Sequence, residues 1–159
     1  MAIYMKYGPV AGSVTTDGFK EWIQLNSFSW GVGRGVSVPH GGEDTREGSE
    51  PSISEVSVTK RMEKASIQLW QDAVGGDFSN LVTIKFTTTT KDKVESYLEY
   101  EFTDTGLSGY SVMAGPDDPP QESLSLNFAK VTWKYGVVDA KTSSKPQSAS
   151  WDMTQQKKG

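Results

Sequence analysis

The chain has 159 residues, with 16 basic and 20 acidic side chains, one histidine and no cysteine. This length corresponds to a single domain that buries a core without help from a disulfide or a structural metal. The net charge of −4 excludes nucleic-acid binding through an overall positive field. The missing cysteines exclude disulfides, thiolate metal sites and cysteine nucleophiles. Ser and Thr together number 33 against 8 Ala, which favours strands over helices.

Two features bear on location. No stretch approaches the roughly 18 consecutive apolar residues of a membrane-spanning helix. The segment from Met1 to Pro9 lacks the basic and apolar regions of a secretory signal. We therefore expect synthesis in the cytoplasm, no signal peptide and no stable membrane association.

Alternating apolar residues predict strands along most of the chain. The first strand carries Ile3, Met5 and Tyr7, and an apolar run follows over residues 19–30. The same period of two recurs in four later groups: Val56 and Val58; Val82, Ile84 and Phe86; Leu98, Tyr100 and Phe102; Tyr110 and Val112. The glycines within residues 104–109 predict a turn before the last of these groups.

Residues 122–138 contain a change of phase. Leu124, Leu126 and Phe128 occupy even positions, whereas Val131 and Trp133 occupy odd ones. A regular strand keeps its phase, so this pattern predicts a β-bulge or a sharp bend near residues 129–130. Bends of this kind let long strands turn the corners of a barrel.

One segment has the period of a helix instead. Apolar residues recur every three to four positions between Ser66 and Val74, which predicts one short helix within residues 64–76. Ser66 is the expected N-cap, and Gly75 is expected to follow the last turn. Many strands with one helix and no internal repeat predict a β-barrel or a β-sandwich.

Residues 31–51 form a long candidate loop. They include six glycines and two prolines, and loops of this length are usually functional or disordered. Val36 and Val38 alternate, so part of the segment is compatible with an extended hairpin arm. At the other end of the chain, Trp151 and Met153 predict a final strand that returns to the fold.

Ser57 and Lys60 match the SxxK spacing of serine acyl-enzymes. That chemistry needs the two side chains together, as on one face of a helix. The segment reads as a strand, in which residues three apart point to opposite faces, so we expect no such site. His40 lies between Pro39 and Gly41 without a candidate nucleophile nearby, and a loop position is expected for it.

Two other patterns resemble ligand sites only superficially. The glycines at positions 31, 33 and 35 have the spacing GxGxG, open no helix and precede no GK[ST] sequence, unlike a phosphate-binding loop. The carboxylates of Glu43, Asp44, Glu47 and Glu50 lack the spacing of a calcium loop. The sequence therefore predicts no catalytic residue, no cofactor and no metal site.

Several aromatic residues fall within apolar patterns, which favours the core or a subunit interface over sugar or base stacking. These candidates are Trp22, Trp30, Trp70, Phe128, Trp133 and Trp151.

Three segments, read in order, resemble one family. The first is Ile23-Gln24-Leu25-Asn26-Ser27-Phe28-Ser29-Trp30-Gly31. The second is Val58-Thr59-Lys60 followed by Glu63-Lys64-Ala65-Ser66 and the predicted helix. The third extends from Pro120 to Tyr135 and includes Leu124-Ser125-Leu126-Asn127-Phe128-Ala129-Lys130-Val131-Thr132-Trp133. With Trp151 in the place of a late Gly-Trp, the whole chain resembles the haemolysin-coregulated protein (Hcp) family, the tube protein of bacterial type VI secretion systems.

The sequence departs from the family pattern at two places. Ile67 stands where the family often has a proline at the first helical position, and Ser150 precedes Trp151 where glycine is common. Isoleucine adopts helical φ values, so the helix is expected to persist.

The resemblance implies a single-domain β-barrel of two sheets with a flanking helix. It further implies homo-hexameric rings that stack into a tube, expulsion by a contractile sheath, contact with spike proteins, and effector proteins carried in the lumen. Residues 31–51 match the family's extended loop in position. The charged residues there are candidates for ring stacking: Arg34, Glu43, Asp44, Arg46 and Glu47. A phage-tail-tube-like structural protein and a secreted β-sandwich hydrolase or lectin remain as alternatives.

Overall fold

The computed structural model describes residues 1–37, 47–48, 50–136 and 147–158. These residues form fourteen β-strands and one α-helix. In chain order they are β1 (Ala2–Tyr7), β2 (Ile23–Leu25), β3 (Ser27–Ser29), β4 (Val32–Gly33), β5 (Val36–Ser37), β6 (Glu47–Gly48), β7 (Ser52–Ile53), β8 (Val56–Arg61), α1 (Ser66–Gly75), β9 (Asn80–Thr90), β10 (Lys93–Met113), β11 (Gln121–Asn127), β12 (Lys130–Tyr135), β13 (Gln147–Asp152) and β14 (Lys157–Lys158).

The longer strands form two antiparallel sheets that share β10. Sheet A has the order β2-β1-β9-β10-β12-β13-β14 and uses the first part of β10. Sheet B has the order β10-β11-β8-β3 and uses the second part of β10. The mainly β fold with one short helix, predicted from the sequence, is therefore confirmed.

The predicted turn at residues 104–109 is wrong, because β10 runs through this segment as one strand. The register shifts between Phe102 and Thr105, and again between Leu107 and Gly109. Asp104 has a φ of 50°, so the turn-forming residues here produce β-bulges. Bulges bend a strand and increase its twist, and this bend carries β10 from sheet A into sheet B.

The predicted irregularity near residues 129–130 is confirmed. β11 ends at Asn127 in sheet B, and β12 begins at Lys130 in sheet A. Between them, the N–H of Ala129 donates to the carbonyl oxygen of Thr103 at 3.0 Å. The phase change and the bulges of β10 thus lie side by side, and both strands turn the same corner.

The expected closed barrel is corrected to two sheets that do not close over the described residues. β2 pairs with β1, whereas β3, which follows it directly, pairs with β8. At their junction, the N–H of Asn26 donates to Thr59 O at 2.7 Å. The Asn26 side chain also donates, from Nδ2, to Gln121 Oε1 at 2.7 Å. The sheets are therefore continuous along β10 and meet at Asn26 through these two bonds, without a strand ladder across that seam among the described residues.

The core lies between the sheets, and the alternation of apolar residues predicts its members well. Its fully buried side chains include those of Met5, Tyr7, Ile23, Val56, Val58, Leu69, Val82, Ile84, Phe102, Leu124 and Leu126. An aromatic cluster extends it toward β12: Tyr100 stacks with Phe28 at 5.1 Å and with Trp133 at 5.8 Å between ring centroids.

Helix α1 lies within the predicted range, but its ends differ from the prediction. Its N-cap is Ala65, without a side-chain cap, and Ser66 is the first helical residue. The left-handed C-cap is Gly76, at φ 68°, one residue beyond the predicted Gly75. The Ser66 hydroxyl makes tertiary contacts instead, which are described below.

In the segment predicted as an arm, residues 31–51, the strands near the start pair with strands near the end, as in a hairpin. β4 pairs with β7 and β5 pairs with β6, both antiparallel and apart from the two sheets. The final strand predicted around Trp151 is β13, which pairs with β12.

Candidate interaction surfaces

The two residues of the SxxK pattern point apart, as predicted. Ser57 is exposed, whereas Lys60 is fully buried. His40, Glu43 and Asp44 lie outside the described residues, and so does Arg46. Among the residues that the structure describes, no group of His, Cys, Asp or Glu is arranged to hold a metal ion.

Lys60 instead belongs to a buried polar cluster that sequence reasoning missed. Its ammonium forms an ion pair with Glu122, whose side chain is also fully buried. It also donates to Ser66 Oγ at 3.1 Å and to the Arg61 carbonyl oxygen at 2.9 Å. Ser66 Oγ donates to Glu122 Oε2 at 2.9 Å, and the Tyr110 hydroxyl donates to Glu122 Oε1. The cluster thus joins α1 to β8, β10 and β11.

The electrostatics of this cluster favour structure over catalysis. Burial and the hydrogen bond to the Glu122 carboxylate raise the pKa of Tyr110 to about 12. A Ser–Lys dyad needs a neutral lysine to accept a proton and a serine that substrate can reach. Here Lys60 is paired with a carboxylate, and Ser66 is buried. The contacts anchor the start of α1 to sheet B.

A sequence signal for this cluster does exist. Lys60 is in phase with the buried Val56 and Val58, and Glu122 is in phase with Leu124 and Leu126. Charged residues are almost never fully buried unless they are paired. Two opposite charges, each in phase with a buried apolar series, therefore indicate a buried pair.

A second polar cluster holds the other end of α1. The hydroxyl of the fully buried Tyr7 donates to Asp72 Oδ2. Burial, followed by this hydrogen bond, raises the pKa of Tyr7 well above its usual value. Asn80 Nδ2 donates to the Thr105 carbonyl oxygen at 3.2 Å. The helix is thus fixed to sheet A at its end and to sheet B at its start.

The inner face of sheet A extends beyond the cover that sheet B provides. We call the uncovered part the wing; it consists of Trp133, Tyr135, Gln147, Ala149, Trp151 and Lys158, which share one face through the pairing of β12, β13 and β14. Trp133 is 45% exposed and Tyr135 is 54% exposed. A cavity of about 450 Å³ lies on the wing, between Trp30, Trp133 and Trp151. The Trp30 Nε1 atom is buried there without a hydrogen-bond partner among the described residues.

A second apolar surface lies on α1. Ile67, Trp70 and Val74 follow the i, i+3, i+7 spacing of one helix face, and we call them the helix stripe. Ile67 is 71% exposed and Val74 is 70% exposed. The stripe borders an apolar depression of about 320 Å³ next to Met62 and Tyr110.

The other sequence-predicted residues lie in varied surroundings. Phe128 is buried in the core, and Trp22 is half-buried in an edge contact with Phe19, 5.2 Å between centroids. Arg34 is exposed between β4 and β5, and the backbone of Glu47 pairs with Ser37. The structure brings Trp30, Trp133 and Trp151 together and places Trp70 on a separate surface.

The helix found among the described residues is too short and polar to cross a bilayer.

Residues 4–135 match the model of the family described as type VI secretion system effector, Hcp. Comparison with curated protein sequences gave no match. Among solved structures, a type six secretion system protein matches with a TM-score of 0.83 and 27% identity over 99% of both chains.

Two further structures share the fold at lower identity. A type VI secretion system effector from Yersinia pestis has a TM-score of 0.74 and 20% identity, over 94% of this chain and 98% of its own. Hcp1 from Salmonella typhimurium has a TM-score of 0.72 and 18% identity, over 99% of this chain and 97% of its own. The residues that match the family model, 4–135, include all three segments that resemble the family in the sequence. The chain belongs to the Hcp family of type VI secretion system proteins.

Proposed function

We propose that this protein is a structural subunit of the type VI secretion inner tube. Six copies close a ring, the rings stack head to tail, and the sheath expels the tube together with effector proteins held in its lumen. The structural observation that carries this proposal is the pair of separate apolar surfaces, the wing and the helix stripe, that the described residues leave exposed. A ring needs two different complementary surfaces on each subunit, and the wing and the helix stripe are our candidates for these two surfaces.

The arm formed by β4 to β7 is proposed to contact the neighbouring ring. Within the described residues, β4 pairs with β7 and β5 pairs with β6. Ile53 of β7 packs against the core, whereas Val32 and Val36 are exposed and available for a contact. Arg34, Glu43, Asp44, Arg46 and Glu47 supply charges of both signs. An exposed ion pair contributes about 0–1 kcal/mol, and six copies per ring multiply that small contribution.

Native mass spectrometry and light scattering test the ring directly. We expect a particle of six copies of the 17.4 kDa chain at micromolar concentration. A particle with the mass of one chain across that range contradicts the proposal.

The absence of a catalytic role is tested by substitution. Ser57→Ala and His40→Ala are expected to leave ring formation and secretion at the wild-type level. Ser57 points away from Lys60, and the sequence places no candidate nucleophile near His40. Loss of secretion in a variant that still forms rings would support the hydrolase alternative.

A further inference from the structure

We propose that the wing of one subunit is covered by the helix stripe of the next subunit around the ring. This inference rests on the proposed function and adds to it the two surfaces that form the ring contact.

The wing needs a cover because it continues the core. Phe102 pairs with Val131, Tyr100 with Trp133, and Leu98 with Tyr135, so all six side chains lie on the same face of sheet A. Val131, beneath sheet B, is almost fully buried, but the next two residues on this face of β12 are about half exposed. Sheet B ends before sheet A does. A sheet face of this composition is stable when another layer packs on it.

The helix stripe fits this face in shape. A helix is convex, and the cavity between Trp30, Trp133 and Trp151 is a depression that accepts large side chains. Trp70 is the largest of the three stripe residues, and Ile67 and Val74 flank it one turn to either side. Aromatic and aliphatic anchors that enter a pocket dominate the energetics of most interfaces.

The charges at the two surfaces are complementary. Helix α1 has no basic residue in its last turn, and the exposed Asp77 follows its C-terminus. Hydrogen bonds from Ser79 lower the pKa of Asp77, so this end is negative. The wing carries Lys158, and Lys157 adjoins it. A cation near a helix C-terminus is favourable, which supports helix α1 as the occupant.

Within one subunit the two surfaces lie at different levels of β10 and border different depressions. Helix α1 leads into Asn80, which pairs with Thr105, whereas Tyr135 of the wing pairs with Leu98. Leu98 and Thr105 are seven positions apart on β10, on either side of the bulge at Asp104, and seven positions of a strand span at most about 20 Å. A contact between different patches on two copies is head to tail, and such contacts generate rings when the rotation closes.

Disulfide trapping tests the contact, because the chain has no cysteine of its own. Val74 and Ala149 are both exposed, so Val74→Cys and Ala149→Cys should not disturb folding. Oxidation of the double variant V74C/A149C is expected to give covalent oligomers up to six chains. An equal mixture of the two single variants, reassembled before oxidation, should give covalent dimers, whereas each single variant alone should not. Ile67→Cys with Gln147→Cys provides a second pair.

The control pair is Val36→Cys with Ala149→Cys, which places one thiol on the arm. If this pair cross-links while V74C/A149C does not, the neighbouring arm covers the wing and the inference is wrong. If rings of native mass form and neither helix-to-wing pair cross-links, another part of the chain or another protein covers the wing. That result also overturns the inference and leaves the proposed function intact. A monomer overturns both.

Truncation gives an independent readout. Trp133→Ala and Trp70→Ala should each raise the concentration at which rings dissociate by at least tenfold. Leu81→Ala, an exposed apolar residue outside both surfaces, serves as the matched control and should leave that concentration unchanged. Far-ultraviolet circular dichroism confirms folding of each variant. The assignment is contradicted if all three substitutions raise the dissociation concentration of the rings equally, or if none of them changes it.

Discussion

The buried Lys60–Glu122 pair allows a sharp test of what holds helix α1 in place. Glu122→Gln retains the size of the side chain and an acceptor for Tyr110, but it removes the charge that compensates Lys60. Removing one partner of a buried ion pair costs about 3–5 kcal/mol, because the remaining charge is left in a poorly solvated site. Glu63 lies 3.5 Å from the Lys60 ammonium and is partly exposed, so it offsets some of this cost. We therefore expect about 3 kcal/mol.

The double variant Lys60→Met/Glu122→Leu separates the charge from the packing. Apolar residues of similar volume often replace a buried ion pair without loss. Ser66 and Tyr110 lose an acceptor in this variant, and an unsatisfied buried group costs about 1–3 kcal/mol. Ser66 still accepts from the Glu63 N–H at 2.9 Å, and the half-exposed Tyr110 can bond to water. The double variant should therefore be more stable than Glu122→Gln alone.

Urea unfolding at one fixed protein concentration is the measurement, because assembly couples stability to concentration. A loss of about 3 kcal/mol is a large share of the 5–15 kcal/mol that stabilises a typical domain. The control is Glu99→Gln, which breaks the partly exposed pairs with Lys85 at 3.4 Å and Lys134 at 4.0 Å and should cost about 0–1 kcal/mol per pair. If Glu122→Gln costs no more than Glu99→Gln, the buried cluster does not anchor the helix.

Three further predictions follow from local geometry. The pKa of Tyr110 is raised to about 12 in the folded state, whereas the unfolded chain loses this proton above a pKa of about 10. The free energy of unfolding should therefore fall as the pH rises from about 10 to 12. In Tyr110→Phe, measured in the same way, the fall should be less steep. Gly106→Ala should destabilise by about 1–3 kcal/mol in thermal unfolding, because the added Cβ would lie 2.7 Å from Phe78 Cδ1 and still closer to a carbonyl oxygen; Gly115→Ala, with open space around it, should not. Deletion of residues 41–48 should leave hexamers intact by native mass but abolish tubes, and raised salt should weaken stacking more than ring closure; monomers after the deletion would assign the arm to the ring contact.

The strands were predictable because sheet burial has a period of two. The same period located the irregularity between β11 and β12, because the apolar residues change phase there and a regular strand cannot switch faces. The turn predicted at residues 104–109 was wrong for a related reason. Asp and Gly tolerate positive φ in a turn and in a β-bulge alike. Only the partner strands, β9 and β11, distinguish a bulged strand that continues from one that reverses.

The cap of α1 illustrates a tertiary contact that overrides a local preference. Ser66 satisfies the pattern of an N-cap, and its hydroxyl does accept a bond from the backbone N–H of Glu63. That hydroxyl also bonds Lys60 and Glu122, so the helix begins one residue earlier, after Ala65. No window of neighbouring residues contains Glu122, which is 56 positions away in the chain.

The wing marks the limit of periodicity as a guide to function. Trp133 and Tyr135 follow Val131 with the same spacing that relates Phe102 to Tyr100, and alternation assigns all of them to one buried face. It specifies the face but not how far the opposite sheet extends over it, because that extent depends on where β10 and β11 bend. Desolvation selects the same residue types for a core and for a subunit contact. A residue such as Trp133, in phase with the core yet 45% exposed in the single chain, therefore satisfies the pattern of a core residue and that of a subunit contact equally well, and only the assembly tests proposed above distinguish the two.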